Sequence, residues 1–307
     1  MITGEPIEGD YAAGLGAPAP VGSGALTGPT VLRMVLGGTL RRYREAAEIN
    51  ANDAGEAIRG SHSKISRIEH GRVAAKQRDV SDLLTLYGVT DPQVRERLLA
   101  LARQASAPGW WQQFADVMPD WFERYLGLER AATEIRGYEV QFVHGLLQTQ
   151  AYARAVIKIG NPHASIEEIE RRVVLRMERQ RLLTDPAPPR MWAVLDEAAL
   201  RRSPNGPETM RGQLQYLLEV TEMPHVRLQI VPFSGGAHPA SGGPCSILRF
   251  DGWDVPDVVF LEQRNSALYL DDPAQVQDYR IMMDQLVTQA ATPEASREML
   301  AAILRET

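Results

Sequence analysis

A continuous series of helical patterns runs from residue 31 to residue 104, and it constrains the fold more than any other feature of the chain. Apolar side chains recur there at helical spacing, which places them on one helix face; they are Leu36, Leu40, Tyr43 and Ala47. Asn50 is suited to cap a second helix, residues 51–58. Two more helices are predicted near residues 78–87, ending at Gly88, and 92–104, capped by Asp91. The pattern therefore predicts a small bundle of helices.

A break separates the second helix from a third. Arg59-Gly60 interrupts the helical pattern. Ser61 can cap the next helix, which runs to about His70, and Gly71 ends it. Two short helices joined by a tight turn are therefore expected at the centre of the bundle.

The third helix has one apolar face and one polar face. Ile65 and Ile68 supply the buried face, and Ile58 and Leu40 are the expected partners. Small residues in the second helix allow the two helices to cross closely: Ala54, Gly55 and Ala57. A helix that reads DNA needs this division, because one face rests on a supporting helix while the other enters the major groove.

The polar face carries side chains with the chemistry for contact with DNA. Serine, histidine and arginine can hydrogen-bond base edges, lysine more often contacts phosphate, and a helix N-terminus also attracts phosphate. We therefore predict a site for double-stranded DNA formed by Ser61, His62, Ser63, Lys64 and Arg67, flanked by Arg42, Asn52 and Arg72. An ordinary helical hairpin without DNA contact is the alternative.

The charge of the chain is unevenly placed. Residues 31–78 contain ten basic and five acidic residues, whereas the net charge of the whole chain is −6. A basic segment on an acidic body is the pattern of a protein in which one module touches phosphate. A solvated helical surface has the same pattern, so charge alone does not decide between the two.

The run Ile65-Ser66-Arg67-Ile68-Glu69-His70-Gly71, behind a supporting helix and a turn at matching spacing, resembles the helix-turn-helix of the Cro/repressor (Xre) family. The chain departs from that family where Arg59 replaces a usual glycine, Gly60 a usual apolar residue and Ala54 a common leucine. The resemblance implies a DNA-binding domain over residues 31–107, with its helix-turn-helix core at residues 36–90.

A second domain, of α+β class, is predicted over residues 108–307, after a boundary at Pro108-Gly109. Helices are predicted at residues 119–136, 149–159, 165–183, 207–222, 273–289 and 293–305. Short apolar runs between glycines and prolines predict strands at residues 191–195, 226–233, 246–250, 258–262 and 267–270. Four of these strands follow one another without a helix, which favours a mainly antiparallel sheet. Residues 1–30, rich in glycine and proline, are expected to be a disordered extension.

Several motifs of the second domain resemble the C-terminal domain of actinobacterial WhiJ-like regulators. They are Trp110-Trp111, residues 121–126, 145–154, 176–181, 195–197, 229–233 and 248–250. His144 and Cys245 depart from that pattern, where a proline and an aromatic residue are usual. The resemblance implies transcriptional control with a small acidic partner protein, in an arrangement likened to toxin–antitoxin pairs, and implies no ligand.

No metal, cofactor or catalytic motif is expected. The six histidines show no HExxH or similar spacing, and the single cysteine, Cys245, cannot form an internal disulfide or a thiolate cluster. Asp196-Glu197 is better explained as a helix cap than as a catalytic carboxylate pair. The loop from Ser234 to His238 lacks a nucleophile elbow. We expect no enzyme; a catalytic C-terminal domain would need a pocket that joins perturbed carboxylates to a nucleophile.

Three groups of side chains in the second domain have more than one possible role. The aromatic residues from Trp110 to Tyr125 are more commonly core than ligand site. The arginines from Arg171 to Arg181 wrap around several helix faces, so a solvated surface is expected and an anion or partner site is the alternative. Leu146 and Leu147 are expected in the core, while Gln148 can face a pocket.

These observations favour a cytoplasmic, homodimeric transcriptional regulator. One helix-turn-helix buries about 600–1,000 Å² on DNA, and dimerisation on a two-fold site is the usual route to useful affinity. No apolar run approaches the roughly 20 residues that a bilayer requires, and no signal peptide is recognised. The C-terminal domain is expected to provide dimerisation and signal or partner binding. The alternative is an antitoxin-like protein that sequesters a small acidic partner and autoregulates its operon.

Overall fold

The structure, a computed structural model, describes residues 28–251 and 255–307, and the chain divides into two units between Gly109 and Trp110. The expected domain boundary lies two residues earlier. Residues 1–30 were expected to be disordered, and residues 1–27 of this segment lie outside the described residues. Pro29 and Thr30 belong to the first helix, so the expectation is wrong for them. Within the described parts of the chain, no helix is both long and apolar enough to cross a membrane.

Five helices make up the first unit: α1 (Pro29–Ala46), α2 (Ala51–Ala57), α3 (His62–Glu69), α4 (Gln77–Leu86) and α5 (Pro92–Ala105). The bounds of α2 to α5 lie within one residue of those predicted. Asn50, Ser61 and Asp91 accept hydrogen bonds from first-turn amides of the helices that they cap. Gly71 and Gly88 adopt the left-handed φ that residues with side chains disfavour. Local signals therefore set the helix ends as expected.

The first helix packs directly on the end of α3. Its apolar face is buried as predicted at Leu36, Leu40 and Tyr43. Gly37 lets the two helices touch backbone to backbone, because a Cβ atom there would lie 2.2 Å from the carbonyl oxygen of Ile68. This close approach makes α1 the support that fixes the position of α3.

The second unit has the α+β composition that was predicted. Its helices are α6 (Asp120–Ala131), α7 (Gln150–Gly160), α8 (Ile166–Gln180), α9 (Glu197–Arg201), α10 (Pro207–Val220), α11 (Pro273–Gln289) and α12 (Pro293–Glu306). Its strands are β1 (Glu134–Glu139), β2 (Arg190–Asp196), β3 (Val226–Val231), β4 (Cys245–Arg249), β5 (Val258–Glu262) and β6 (Ala267–Leu270). All five predicted strands are present, and the Ser165–Glu168 capping box forms at the start of α8.

The sheet is mixed, so the prediction of a mainly antiparallel sheet is wrong. The strand order is β3-β2-β1-β4-β5-β6. The β1–β2 and β2–β3 pairs are parallel, and the other three pairs are antiparallel. Helices α7 and α8 connect β1 to β2, and α9 and α10 connect β2 to β3, which are the long crossovers that parallel pairing requires. One sheet face packs on α11 through residues such as Tyr138, Val194, Ile247, Met283 and Leu286.

The central strand β1 is the element that the sequence pattern failed to predict. Residues 119–136 were expected to form one helix, but α6 ends at Ala131 and the strand begins at Glu134. Glu134 lies between two arginines of neighbouring strands, with Arg190 at 3.0 Å and Arg249 at 3.4 Å. These ion pairs stabilise a charged strand that has no apolar alternation, and they connect residues far apart in the sequence.

The aromatic residues from Trp110 to Tyr125 pack as core within the second unit, as expected for most of them. Trp111 and Phe114 are buried with Leu126 and Leu175 in one cluster. Phe122 and Tyr125 stack on each other, with ring centroids 5.5 Å apart. These two rings also line a cavity.

Candidate functional site

The turn between α2 and α3 is closed by backbone hydrogen bonds. The amide of Gly60 donates to the carbonyl of Gly55 (2.8 Å), and that of Arg59 donates to Glu56 (2.9 Å). Arg59 takes the left-handed conformation, with φ of 51°, which costs about 1–2 kcal/mol for a residue with a side chain. A Cβ atom at Gly55 would lie 2.9 Å from the backbone of Ser61, so this glycine permits the close crossing that was predicted. Ala57, expected to share in the crossing, is exposed.

The inward face of α3 is fixed by apolar packing and by one ion pair. Ile65 and Ile68 are buried, as predicted. The carboxylate of Glu69 accepts two hydrogen bonds from Arg44 of α1, at 2.6 and 3.0 Å, and Arg44 also donates to the carbonyl of Ile49. Two charged hydrogen bonds in a fork geometry fix direction as well as distance. The orientation of α3 is therefore rigidly defined from its inward side.

The outward face of α3 presents most of the side chains that were predicted to contact DNA. His62, Ser63 and Arg67 are exposed. The guanidinium Nε of Arg67 lies 3.3 Å from the carbonyl oxygen of Ser63, a long contact that a stronger acceptor can replace. Ser61 is exposed too, but its hydroxyl oxygen accepts from the amide of Lys64 as the helix cap. The structure thus brings His62, Ser63 and Arg67 together on one open surface.

Lys64 differs from its neighbours on α3 because its ammonium group forms an ion pair within the first unit. Its ammonium nitrogen lies 2.6 Å from a carboxylate oxygen of Asp79, which is buried in α4. This ion pair connects α3 to α4. A contact between Lys64 and phosphate would require that pair to open.

The three flanking residues of the predicted site are exposed. Arg42 lies in α1, where its Nη2 is 3.4 Å from the hydroxyl of Thr39. Asn52 is in the first turn of α2, and Arg72 follows Gly71 after the end of α3. All three therefore lie at the surface of the first unit, on α1, on α2 and after the end of α3.

The second unit contains a cavity of about 770 Å³. It lies at the carboxyl end of β1, between α7 and α8 and the ends of β4 and β5. Gln148 lines the cavity, as expected. Its side-chain nitrogen donates to the carbonyl of Val143, and its side-chain oxygen accepts from Arg176. Leu146 and Leu147 are in the core, as expected.

The expectation of a solvated surface is wrong for two arginines of α8. Arg179 is buried and donates two hydrogen bonds of 2.8 Å to the carboxylate of Glu129, which is also buried. Arg176 lines the cavity, and burial, followed by the charge of Arg179, lowers its pKa to about 10. Arg172, Arg176 and Arg179 are spaced by four and three residues, so helical periodicity could have placed them on one face.

Glu139, at the end of β1, was not singled out from the sequence. Burial, and then the charge of Glu262, raises its pKa to about 8, against the opposing charges of Arg176 and Arg179. Other titratable groups around this part of the cavity are His144, Tyr152 and Cys245. At neutral pH the Glu139 carboxyl is therefore protonated and uncharged.

We expect Glu139→Gln to stabilise the fold increasingly as pH rises from 5 to 8. The folded-state pKa of about 8 lies above the ordinary value of 4.5. The stability contributed by the protonated form is therefore fully present below about pH 4.5 and is lost as pH rises towards 8. Glutamine stays neutral at every pH, so the difference in folding stability should grow by up to about 1.4 kcal/mol per pH unit between about pH 5 and pH 8. Thermal melts of both chains from pH 5 to 9 measure it, with the exposed Glu219→Gln as control. A pH-independent difference would contradict the raised pKa.

The cavity contains no activated nucleophile. Burial, and then the charge of Glu139, raises the pKa of the Cys245 thiol to about 12, so the thiolate is not formed near neutrality. Burial lowers the pKa of His144 to about 4, and its Nδ1 accepts a hydrogen bond from the amide of Leu146.

The remaining candidate groups have structural roles. The side chain of Asp196 caps α9, as predicted, by accepting from the amide of Ala198. His238 contacts the hydroxyl of Tyr138 at 3.1 Å, whereas Ser234 is exposed. Among the residues described, no group of three or more histidine, cysteine or acidic side chains is arranged to hold a metal ion.

The first unit defines the class of the protein: a helix-turn-helix protein, in which a supported helix presents one open polar face. A family described as a helix-turn-helix domain matches residues 35–98, which indicates DNA binding and transcription regulation. Residues 122–302 match the family described as a domain of unknown function, DUF5753. That match covers more than half of the chain, and the chain belongs to the DUF5753 family. Neither family is described as catalytic. No curated protein and no solved structure matches the chain.

Proposed function

We propose that this protein is a sequence-specific transcriptional regulator of the Cro/repressor type, in which α3 reads the major groove of DNA. The observation that carries the proposal is the open face of α3, where His62, Ser63 and Arg67 are exposed on a helix fixed from behind by Gly37 and Glu69. Such rigid presentation is what base recognition requires, since base contacts specify only when the frame positions them.

Phosphate contacts are proposed for the residues that border this face. Arg42, Asn52 and Arg72 are exposed in the first unit, and the N-terminus of α3 adds a partial positive charge that attracts phosphate. Ser61 supports the site as the cap of α3. Lys64 is the weakest phosphate candidate, because binding must compete with its ion pair to Asp79.

Dimerisation and signal or partner binding are proposed for the second unit. Six of the seven large hydrophobic side chains exposed in the described residues belong to it, including Ile159, Ile166 and Val174 on α7 and α8. The support for dimerisation is the first unit, because a single helix-turn-helix buries only about 600–1,000 Å² on DNA and usually gains affinity by pairing on a two-fold site. Sedimentation of the full chain with and without operator DNA tests the dimer, and a monomer in both states would exclude it.

We expect Ser63→Ala and Arg67→Ala each to cost about 1–3 kcal/mol in binding to the specific site, and less on random DNA. Both side chains lie on the open face, so truncation removes a base contact without disturbing the core. Mapping of bound DNA across the genome supplies the specific site, and titration with fluorescent duplexes gives the affinities.

The matched control is Arg103→Ala. Arg103 is an exposed arginine of α5 that pairs with Glu96 on the surface of the same unit, away from α3. Its loss should leave specific binding nearly unchanged. Equal losses on specific and random DNA for Arg67→Ala would assign Arg67 to backbone contact instead of base reading.

A further inference from the structure

A guanidinium with spare hydrogen-bond donors faces the cavity of the second unit. Arg176 donates through Nη1 to the side-chain oxygen of Gln148 (3.0 Å), and within the described residues no hydrogen bond is formed by its Nε or Nη2. Gly145 makes room for it, since a Cβ atom there would lie 3.0 Å from Nη1 of Arg176. Arg176 therefore has donors free for a ligand, in contrast to Arg179, which is committed to Glu129.

The walls around Arg176 are held in place before any ligand arrives. Gln180 donates to the carbonyls of Gly145 and Gln148, at 3.0 and 2.7 Å. Gln213, fully buried, donates to the carbonyl of Leu147 at 2.7 Å. The side-chain amides of Gln180 and Gln213 fix the loop that forms one side of the cavity, so binding there does not carry the cost of ordering that loop.

The charge of the cavity favours an anion. Four arginines line it, Arg176, Arg179, Arg202 and Arg264, against the two glutamates Glu139 and Glu262. The carboxyl of Glu139 is uncharged at neutral pH and can donate a hydrogen bond. Two other carboxylates act on Arg176: Glu262, which is exposed, and Glu129, whose charge is balanced by its pair with Arg179.

The rest of the lining is apolar, and the volume suits a small organic molecule. The apolar wall is formed by Phe122, Tyr125, Val143, Val156, Ile157 and Phe260. A volume of about 770 Å³ lies within the range of about 300–1,000 Å³ found for small-molecule sites. A bare inorganic ion would leave this wall unused.

The cavity also lies where sheets of this kind bind ligands. It opens at the carboxyl end of β1, whose neighbour β2 is parallel and whose other neighbour β4 is antiparallel. The strand order also reverses at β1, since β2 and β3 lie on one side of it and β4, β5 and β6 on the other. Open α/β sheets commonly place ligands outside the carboxyl ends of strands where the strand order reverses.

We propose that the cavity binds a small organic acid, with its anionic group on Arg176 and its apolar body against Phe122, Ile157 and Phe260. The biological role of this ligand, as the signal that the regulator senses, rests on the proposed function. The binding site itself follows from the donors of Arg176, the balance of charge and the apolar wall.

The test uses two fluorescent probes of almost the same shape on the full chain, anilinonaphthalene sulfonate and its uncharged analogue phenylnaphthylamine. We expect Arg176→Gln to weaken binding of the sulfonate by about tenfold or more. The same variant should change binding of the neutral probe by less than about threefold, since the apolar wall is intact. Arg181→Gln is the matched control: Arg181 follows directly after α8, is largely exposed and pairs only with Glu178, so neither affinity should change.

A second variant keeps the test decisive if Arg176→Gln fails to fold. Glu262→Gln removes the opposing charge without removing a donor, and it should tighten sulfonate binding by about two- to fivefold while leaving binding of the neutral probe unchanged. Partial unfolding would instead raise binding of both probes, because it exposes apolar surface. Unchanged sulfonate affinity in Glu262→Gln, or equal losses of both probes in Arg176→Gln, would overturn the proposal. The probes are measured without DNA, so the result does not depend on whether the protein binds a specific DNA site. Equally, a failure of probe binding would not contradict the proposed DNA binding.

Discussion

Gly37→Ala is expected to destabilise the first unit by about 3 kcal/mol or more and to abolish specific DNA binding. The added methyl group would lie 2.2 Å from the carbonyl oxygen of Ile68 and 2.6 Å from that of Glu69. Both obstacles are backbone atoms, which cannot move aside as a flexible side chain can. The helix α1 must therefore separate from α3, and the ion pair between Arg44 and Glu69 must stretch with it.

The neighbouring glycine of the same helix supplies the control. A Cβ atom at Gly38 meets no atom within 4 Å, so Gly38→Ala should stabilise the unit by about 0.5–1 kcal/mol through helix propensity alone. Hydrogen exchange in peptides from residues 28–105 reports the stability of this unit for both variants. Equal protection in the two variants would show that α1 does not contact α3 at Gly37.

The features predicted well from the sequence are those determined by interactions between residues close together in the chain. A capping side chain such as Ser61 or Asn50 bonds to amides two or three residues away, and Ser165 forms its capping box with Glu168. The buried faces of α1 and α3 follow from spacing along one helix. These local signals were sufficient for the helix-turn-helix and for the face that is proposed to read DNA.

The features missed are those decided between distant parts of the chain. Lys64 and Asp79 are separated by fifteen residues, and Arg179 and Glu129 by fifty. Nothing local tells a buried, paired arginine from a solvated one on a long helix rich in charge. The strand β1 was missed for the same reason, because the charge of Glu134 is balanced by arginines of β2 and β4 that are distant in the sequence. Because β1 was not predicted, the crossover from β1 to β2 was not recognised. The strands and helix of the second crossover were predicted, but the four consecutive strands that followed favoured an antiparallel sheet.

The second large effect is expected at the buried ion pair of the second unit. Arg179→Met should cost about 3–5 kcal/mol of folding stability, because it leaves the carboxylate of Glu129 buried without a partner. In the native chain, burial alone would lower the pKa of Arg179, but the charge of Glu129 raises it above the ordinary value. Four of the five tryptophans of the chain, Trp110, Trp111, Trp121 and Trp192, lie in this unit, so tryptophan fluorescence in a urea titration mainly follows its unfolding.

The chain offers a control with the same geometry in a different environment. Arg154 donates two hydrogen bonds to Glu170, at 2.6 and 2.8 Å, but their side chains are 41% and 44% exposed, against 6% and 2% for Arg179 and Glu129. Arg154→Met should therefore cost at most about 1 kcal/mol, since water replaces the lost partner. Similar losses for the two arginines would show that burial is not the cause.

A double variant separates the unpaired charge from the packing of Arg179. The guanidinium carbon of Arg179 also lies 5.2 Å from the ring centre of Phe122 and 5.4 Å from that of Tyr125. If the unpaired carboxylate causes the loss, Glu129→Leu combined with Arg179→Met should recover most of it, because apolar replacement of a whole buried pair is often neutral. A double variant no more stable than Arg179→Met alone would mean that the contacts of Arg179 with the two rings, and not its charge, stabilise this part of the fold.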